Sequence, residues 1–390
     1  MAYRSGRHFL QIPGPTNVPD RVLHAIAHPT IDHRSAEFAA LGLEVLGGLR
    51  RVFRTEGPVV IFPSSATGAW EAAFVNTLSP GDRVLSVEIG EFARLWAEVG
   101  KRLGLDVQTI DTDWTAGVDP AAVEAALAAD TEHRIKAVLV VHNETSTGAT
   151  TRLPEIRRAM DRAKHPALLF VDAVSSLGSI DLRQDEWGID VTIAGSQKGL
   201  MLPPGLGFNG ISPKALAASK TARMPKSYWA WEPMLAFNAQ GFFTYTPATN
   251  LLFGLRESLR MLEEEGLEQV FARHQRLAGA ARAAVRGWEL PILCTHDDEQ
   301  SPVVTTVLMP DGHDADRLRT LALDRFDVSL GAGLGRLKGR AFRIGHLGDF
   351  NDLMLMATLS GVEMALTLAE VPFRKGGVMN AMERLTAFRT

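Results

Sequence analysis

The stretch ALLFVDAVSSLGSIDLRQDEWGIDVTIAGSQKG, residues 167–199, decides the fold. It opens on an apolar run, 167–171, that ends in Asp172. It closes on a second run, 191–194, that passes through Gly195, Ser196 and Gln197 to Lys198. Apolar runs without polar alternation suit strands buried on both faces of a parallel sheet. The same rhythm continues upstream, with runs at 58–62, 83–87 and 135–141, and helix-like segments at 68–78, 92–103, 120–129 and 154–164. Strands alternating with amphipathic helices indicate an α/β fold whose mostly parallel central sheet is covered by helices.

An acid ending one buried strand and a lysine just past the next, 26 residues on, are expected to face each other at the sheet's carboxyl edge, where ligands of such sheets bind. Pyridoxal 5′-phosphate (PLP) chemistry needs such a pair. A carboxylate keeps the pyridine nitrogen protonated so that the ring draws electrons, and a lysine holds the cofactor as a Schiff base and shuttles a proton. Taken singly, Asp172 also reads as a cap or turn residue and Lys198 as an exposed loop lysine. Their joint position at two strand ends favours the chemical reading. Upstream, Ser64-Ser65-Ala66-Thr67-Gly68 follows the strand end Ile61-Phe62-Pro63 and opens a helix. Small residues there offer N–H groups, hydroxyls and the positive dipole end to a phosphate, although plain capping also explains the serines. The GxxxxGK[ST] pattern of a P-loop is absent.

The set PGPT (13–16), DHRS (32–35), SSATGAWEA (64–72), HNETSTG (142–148), FVDAVSSLGS (170–179), GSQKGLMLPPG (195–205) and FRIGHLGD (342–349) resembles the class V aminotransferases over essentially the whole chain, and within them the serine–glyoxylate and alanine–glyoxylate enzymes. The resemblance implies a fold-type I PLP-transferase, with a smaller C-terminal α/β domain, working as a homodimer whose sites lie near the subunit interface. It makes Lys198 the Schiff-base lysine and Asp172 the partner of the pyridine nitrogen. Ser65, Ala66 and Thr67 would hold the phosphate, helped by Gln197 and by Thr246 of the neighbouring subunit. Phe92 would stack on the ring, Val174 pack on its other face, and Thr145 approach its 3-oxygen. Arg343 would grip the substrate carboxylate, which its planar fork suits, with Gly14 and Trp231 also placed beside the substrate. Relatives commonly carry glycine at 66, so a Cβ there would crowd the phosphate if the backbone needed a positive φ.

Other residues have two readings each. His33 and Arg34 suit the active site, or an interface or cap. His142 would orient groups near the cofactor, or be a satisfied buried histidine. Trp229, like Trp231, suits a pocket or a dimer contact. Residues 331–335, GAGLG, read as a mobile connection that could cover the substrate.

The chain has 390 residues, 46% hydrophobic and 22% charged, more than one core usually serves. The expected division is an N-terminal arm, 1–20, a large PLP-binding domain, 21–266, and a small domain, 267–390. Pro13, Pro15 and Pro19 bar a continuous helix in the arm, 213–250 reads as irregular, and a long helical stretch over 251–289 breaks near Gly266. The remainder reads as strand 302–309, helix 315–326, strand 341–344 and helix 352–368. A net charge of −4 gives no nucleic-acid footprint. No secretory h-region, membrane span or peroxisomal tripeptide is evident at the ends or between them, so the cytoplasm is the expected compartment.

The expected reaction moves an amino group from serine to glyoxylate by a ping-pong route, giving hydroxypyruvate and glycine, with alanine and aspartate as alternative donors. A cysteine desulfurase would need a mobile nucleophilic thiol, and the single cysteine, Cys294, lies in a run that reads as a buried strand. A binding protein that kept the fold has no use for Lys198, Asp172 and Arg343 together.

Overall fold

The structure, a computed structural model, describes residues 5–387. Its centre is a seven-stranded sheet. Across it lie, in order, Val59–Pro63, Leu206–Ile211, Val191–Gly195, Leu168–Asp172, Ile135–Val141, Arg83–Glu88 and Asp106–Asp111. All run in one direction except Leu206–Ile211, which is antiparallel to both neighbours. The helices Ala66–Thr77, Glu91–Arg102, Pro120–Ala129 and Leu153–Arg162 fall where the apolar periodicity put them, within two residues at each end. Local chemistry fixes their starts: Asp119 accepts the Ala121 N–H, and Pro120 supplies a preset φ at the first helical position.

Two strands of this sheet escaped the sequence reading. Asp106–Asp111 is an edge strand with no buried residue, exposed at the polar positions Asp106, Gln108 and Asp111. Leu206–Ile211 is fully buried but contains Gly207, Asn209 and Gly210 instead of an apolar run. A Cβ at Gly207 would sit 2.8 Å from Ser64 Oγ and 2.9 Å from Ser65 O. The side chain that would mark the strand is missing because the loop carrying Ser64 and Ser65 packs on its backbone. The stretch 213–250 also holds two short helices, Pro213–Ser219 and Trp231–Asn238.

A second core lies around a four-stranded sheet, ordered Phe9–Gln11, Val328–Ala332, Ala341–Gly345 and Val304–Leu308. The helices Ala315–Phe326, Asp352–Leu368 and Gly377–Ala387 pack on it. The helix Thr249–Glu265 ends at Gly266, whose φ of +83° turns the chain into Leu267–Gly287. The large core reaches Val270 and the small one starts at Leu277. The N-terminal segment is woven in: residues 9–11 pair in parallel with 328–330. Residues 1–4, and 388–390 of the AFRT end, lie outside the described residues. Within GAGLG, Gly331 and Ala332 finish a strand and Gly335 opens a short 3-10 turn.

Residues 290–294 do not form the strand expected of them. Only an isolated bridge, Ile292 to Val307, joins them to the sheet. Cys294 is nevertheless buried, and burial pushes its thiol up to about 11. No helix of the described residues is long and apolar enough to cross a membrane.

Candidate active site

Asp172 ends the strand Leu168–Asp172 and is buried. Its Oδ1 accepts the Val174 N–H at 2.8 Å and its Oδ2 accepts the Trp70 indole N–H at 2.9 Å. Burial pushes this carboxyl up to about 7, against the pull of those two donors, and Glu144 adds to the rise. Lys198 lies three residues past the next strand, Val191–Gly195. Its Nζ donates to Pro13 O at 2.7 Å. Burial is the main cause that brings this amine down to about 8, and the nearby Arg343 charge lowers it further. An amine near neutrality is what a proton carrier requires.

Gly14 makes room for that amine. A Cβ there would fall 2.5 Å from Lys198 Nζ and 2.7 Å from its Cε, and its φ of +101° suits glycine alone. The structure therefore sets Gly14 against the lysine.

Asp172 and Lys198 line one cavity of about 130 Å³, together with Ser65, Ala66, Thr67, Phe92, Thr145, Val174 and Gln197. Nine residues singled out in the sequence thus converge. At one end, Ser65 precedes the helix Ala66–Thr77 with an extended backbone, and its hydroxyl makes no capping bond to that helix. Ala66 is not among the residues of positive φ, so its Cβ causes no strain. Gln197 Oε1 is buried without a partner among the described residues. An unspent hydroxyl and a helix N-terminus are the complement of a phosphate, and the Gln197 side chain offers it donors through Nε2, its Oε1 being an acceptor only.

Arg343 reaches the site from the strand Ala341–Gly345. Its Nε donates to Ala332 O at 2.7 Å and its Nη1 to Thr145 O at 2.9 Å. Two carbonyls pin the guanidinium and leave Nη2 and a second Nη1 proton for a ligand. Burial lowers it only to about 10, so it remains a cation at neutral pH.

Not every expected residue is here. Trp231 is 1% exposed and sits inside the large core, its indole donating to Asn209 Oδ1 at 3.3 Å and its N–H to Asn76 Oδ1 at 2.9 Å. It is absent from the cavity lining because its indole turns to the strand Leu206–Ile211. Trp229 donates to Glu71 Oε1 at 3.0 Å and covers Gly68. Thr246 is exposed and outside the cavity of this single chain. His33 and Arg34 form the turn before the helix Ala36–Phe53, where Arg34 N–H bonds Asp32 Oδ1. His142 is buried against Ser176 Oγ at 2.9 Å, and burial holds its imidazole down to about 3, hence neutral.

Sequence reasoning passed over Glu144, Trp70, Asn143 and Ser175. Glu144 is fully buried, and its Oε2 accepts the N–H groups of Phe92 and Ala93, both at 3.1 Å. Its Oε1 accepts from Ser146 N and Oγ at 3.0 and 2.7 Å. It thereby fixes the start of the helix Glu91–Arg102 and the Phe92 ring it carries. The available signal was an acid three residues beyond the end of the strand Ile135–Val141.

Residues 8–335 match the family described as Aminotransferase class-V. A serine–glyoxylate aminotransferase of Methylorubrum extorquens is 47% identical, with 93% of this chain and 92% of that protein covered. An L-aspartate–glyoxylate aminotransferase of Paracoccus denitrificans is 45% identical, covering 95% and 94%. Among solved structures, pyridoxamine–pyruvate aminotransferase from Mesorhizobium loti superposes with a TM-score of 0.92 at 28% identity, over 99% of this chain and all of that one. The family and this solved neighbour are PLP enzymes. Likeness of this extent shows the family, and the chain belongs to the class-V aminotransferases.

Proposed function

We propose that the enzyme transfers the amino group of L-serine to glyoxylate, yielding hydroxypyruvate and glycine. The observation that carries this reading is that relatives named serine–glyoxylate aminotransferase, from Methylorubrum extorquens, Hyphomicrobium methylovorum and Arabidopsis thaliana, are 47%, 48% and 45% identical to the chain. Aspartate is the second donor to consider, because the Paracoccus denitrificans relative is 45% identical. Alanine follows on the resemblance alone.

Pyridoxal phosphate supplies the carbonyl that takes the amine and the ring that draws electrons from Cα. Ser65, Ala66, Thr67 and Gln197 would hold its phosphate, Asp172 would keep its ring nitrogen protonated, Phe92 and Val174 would flank its ring, and Thr145 would lie near its 3-oxygen. The enzyme's own steps then fall to two residues. Arg343 binds the carboxylate of donor and acceptor in turn, and Lys198 Nζ takes the proton from the donor's Cα and delivers one to the acceptor's Cα. One amino group and one oxo group exchange places, so the two half-reactions balance without another reactant. The working unit proposed is a cytoplasmic homodimer, or a pair of dimers, in which the exposed Thr246 completes the partner's phosphate site. A desulfurase role finds no support in Cys294, since burial keeps its thiol protonated at neutral pH.

The test is an absorption spectrum of the purified protein during stepwise addition of L-serine and then glyoxylate. Serine should bleach the visible cofactor band and glyoxylate restore it. Bleaching by aspartate or alanine but not serine would replace the donor.

A further inference from the structure

Asp172 is held by two donors of different kinds. The Val174 N–H lies two residues along the same chain and fixes Oδ1. Oδ2 is fixed by an indole from the helix Ala66–Thr77, the helix whose first turn forms the phosphate end. We propose that Trp70 is a positioning residue that keeps the Asp172 carboxylate ionised and turned toward the ring nitrogen of the cofactor. The proposal rests on the reading of the cavity as a PLP site.

Three observations carry it. Trp70 lines the cavity and is buried, so its single donor has no water to turn to. The ring cannot swing, because it stacks on Trp96 with centroids 5.9 Å apart and planes 19° apart, and Trp96 packs on Phe74 at 6.0 Å. The Trp96 indole N–H, buried beside it, finds no partner among the described residues. Burial alone therefore does not bring an indole to an acceptor here, and the aim of Trp70 at Asp172 is particular. Four residues separate Trp70 from Ala66, a rise of about 6 Å along a helix axis. One rigid helix thus sets both the anion end and the orientation of the acid.

Asp172 needs the help. Glu144 repels its charge and Lys198 attracts it, Arg343 acts through Lys198, and His142, just past the adjoining strand Ile135–Val141, is neutral. With burial bringing the carboxyl to about 7, one donor fewer favours the neutral acid, which cannot hold a proton on the ring nitrogen.

The experiment measures cofactor affinity by equilibrium dialysis between pH 6 and 9 for the wild type, Trp70→Phe, Asp172→Asn and the double variant, with thermal melting of each. Trp70→Phe keeps the stacking ring and loses the donor. Its affinity at pH 7 should fall about tenfold, the loss of one charge-assisted hydrogen bond, and the pH below which cofactor is released should rise. In the Asp172→Asn background the same change should cost nothing further. Equal losses in both backgrounds, or wild-type affinity at every pH, would overturn the proposal. A wild type that retains no cofactor would instead overturn the PLP reading. If Trp70→Phe does not fold, 15N-labelled indoles of the cofactor-free wild type decide: of seven, one should titrate and should cease to do so in Asp172→Asn. No titrating indole would overturn the proposal.

Discussion

The two ends of the cavity are built on opposite plans. At the inner end, Asp172 and Lys198 in the lining, and Glu144 and Arg343 bonded behind it to Phe92 and Thr145, are 4%, 9%, 0% and 7% exposed, and every one has partners within this chain. At the outer end, Ser65 and Thr67 are exposed, and Gln197 Oε1 has no partner among the described residues. Charges in a poorly solvating interior must be compensated before any ligand arrives, or the fold does not tolerate them. A phosphate cradle carries no such burden, because N–H groups and hydroxyls at a helix start turn to water until an anion comes. Inner-end substitutions should therefore cost chemistry steeply, and outer-end ones should cost binding by degrees.

The steepest case is Lys198→Ala. It removes the covalent hold and the proton carrier together, so aminotransfer should fall about 10⁴-fold, the upper range for positioned acid–base groups. Initial rates with serine and glyoxylate check this, and a variant within tenfold of the wild type would end the inner-end argument. Gly14→Ala should come next. The added methyl occupies the space of the Lys198 amine, and displacing a catalytic group by about 1 Å costs roughly a hundredfold. Its kcat should drop while phosphate binding holds, which dialysis against cofactor would read.

The inner end was legible in the sequence because it obeys a rule of sheets. Asp172 and Lys198 close apolar runs that resolve into the neighbouring strands Leu168–Asp172 and Val191–Gly195. Register fixes where a strand ends, so it places Asp172 itself and the start of the short turn that carries Lys198 three residues on. Glu144 and Trp70 obey no such rule. Each acts through a long-range contact, to the helix Glu91–Arg102 and to Asp172, whose partners lie 51 and 102 residues away in sequence. Trp231 failed for the converse reason: an indole near polar residues looks like a pocket wall, yet Asn76 and Asn209 satisfy it inside the core. The strand Leu206–Ile211 stayed hidden because close packing against Ser64 and Ser65 requires glycine where a strand signal needs a side chain.

A smaller effect should appear in the cofactor-free protein as a pH dependence of melting. Asp172 titrates at 3.8 when free and about 7 when folded, so the folded chain binds the extra proton between these values. Its contribution to stability is complete below the lower value and lost as pH rises through the upper one. Lys198 has the opposite sign. It is lowered from 10.5 to about 8, so its contribution is present at high pH and is lost as pH falls toward 8. Melting temperatures from pH 5 to 9 should show the wild type declining toward pH 7 relative to Asp172→Asn. Parallel curves would mean that the acid is not held out of water.

The mildest change, Ser65→Ala, tests the outer end. An N-cap serine replaced by alanine ordinarily costs about 1 kcal/mol of stability because its oxygen caps a free N–H. The Ser65 side chain makes no such bond, and the residue is exposed, so melting of the cofactor-free protein should not move. Only the hydroxyl's bond to a phosphate is lost. Backbone N–H groups at 66 and 67 and the Gln197 amide N–H groups remain, so cofactor affinity should fall by roughly threefold to tenfold, the worth of one hydrogen bond. A drop in melting temperature would assign the hydroxyl to the fold after all. A loss of cofactor as severe as that of Asp172→Asn would mean that the phosphate end is as unforgiving as the inner one, and the contrast between the two ends would fail.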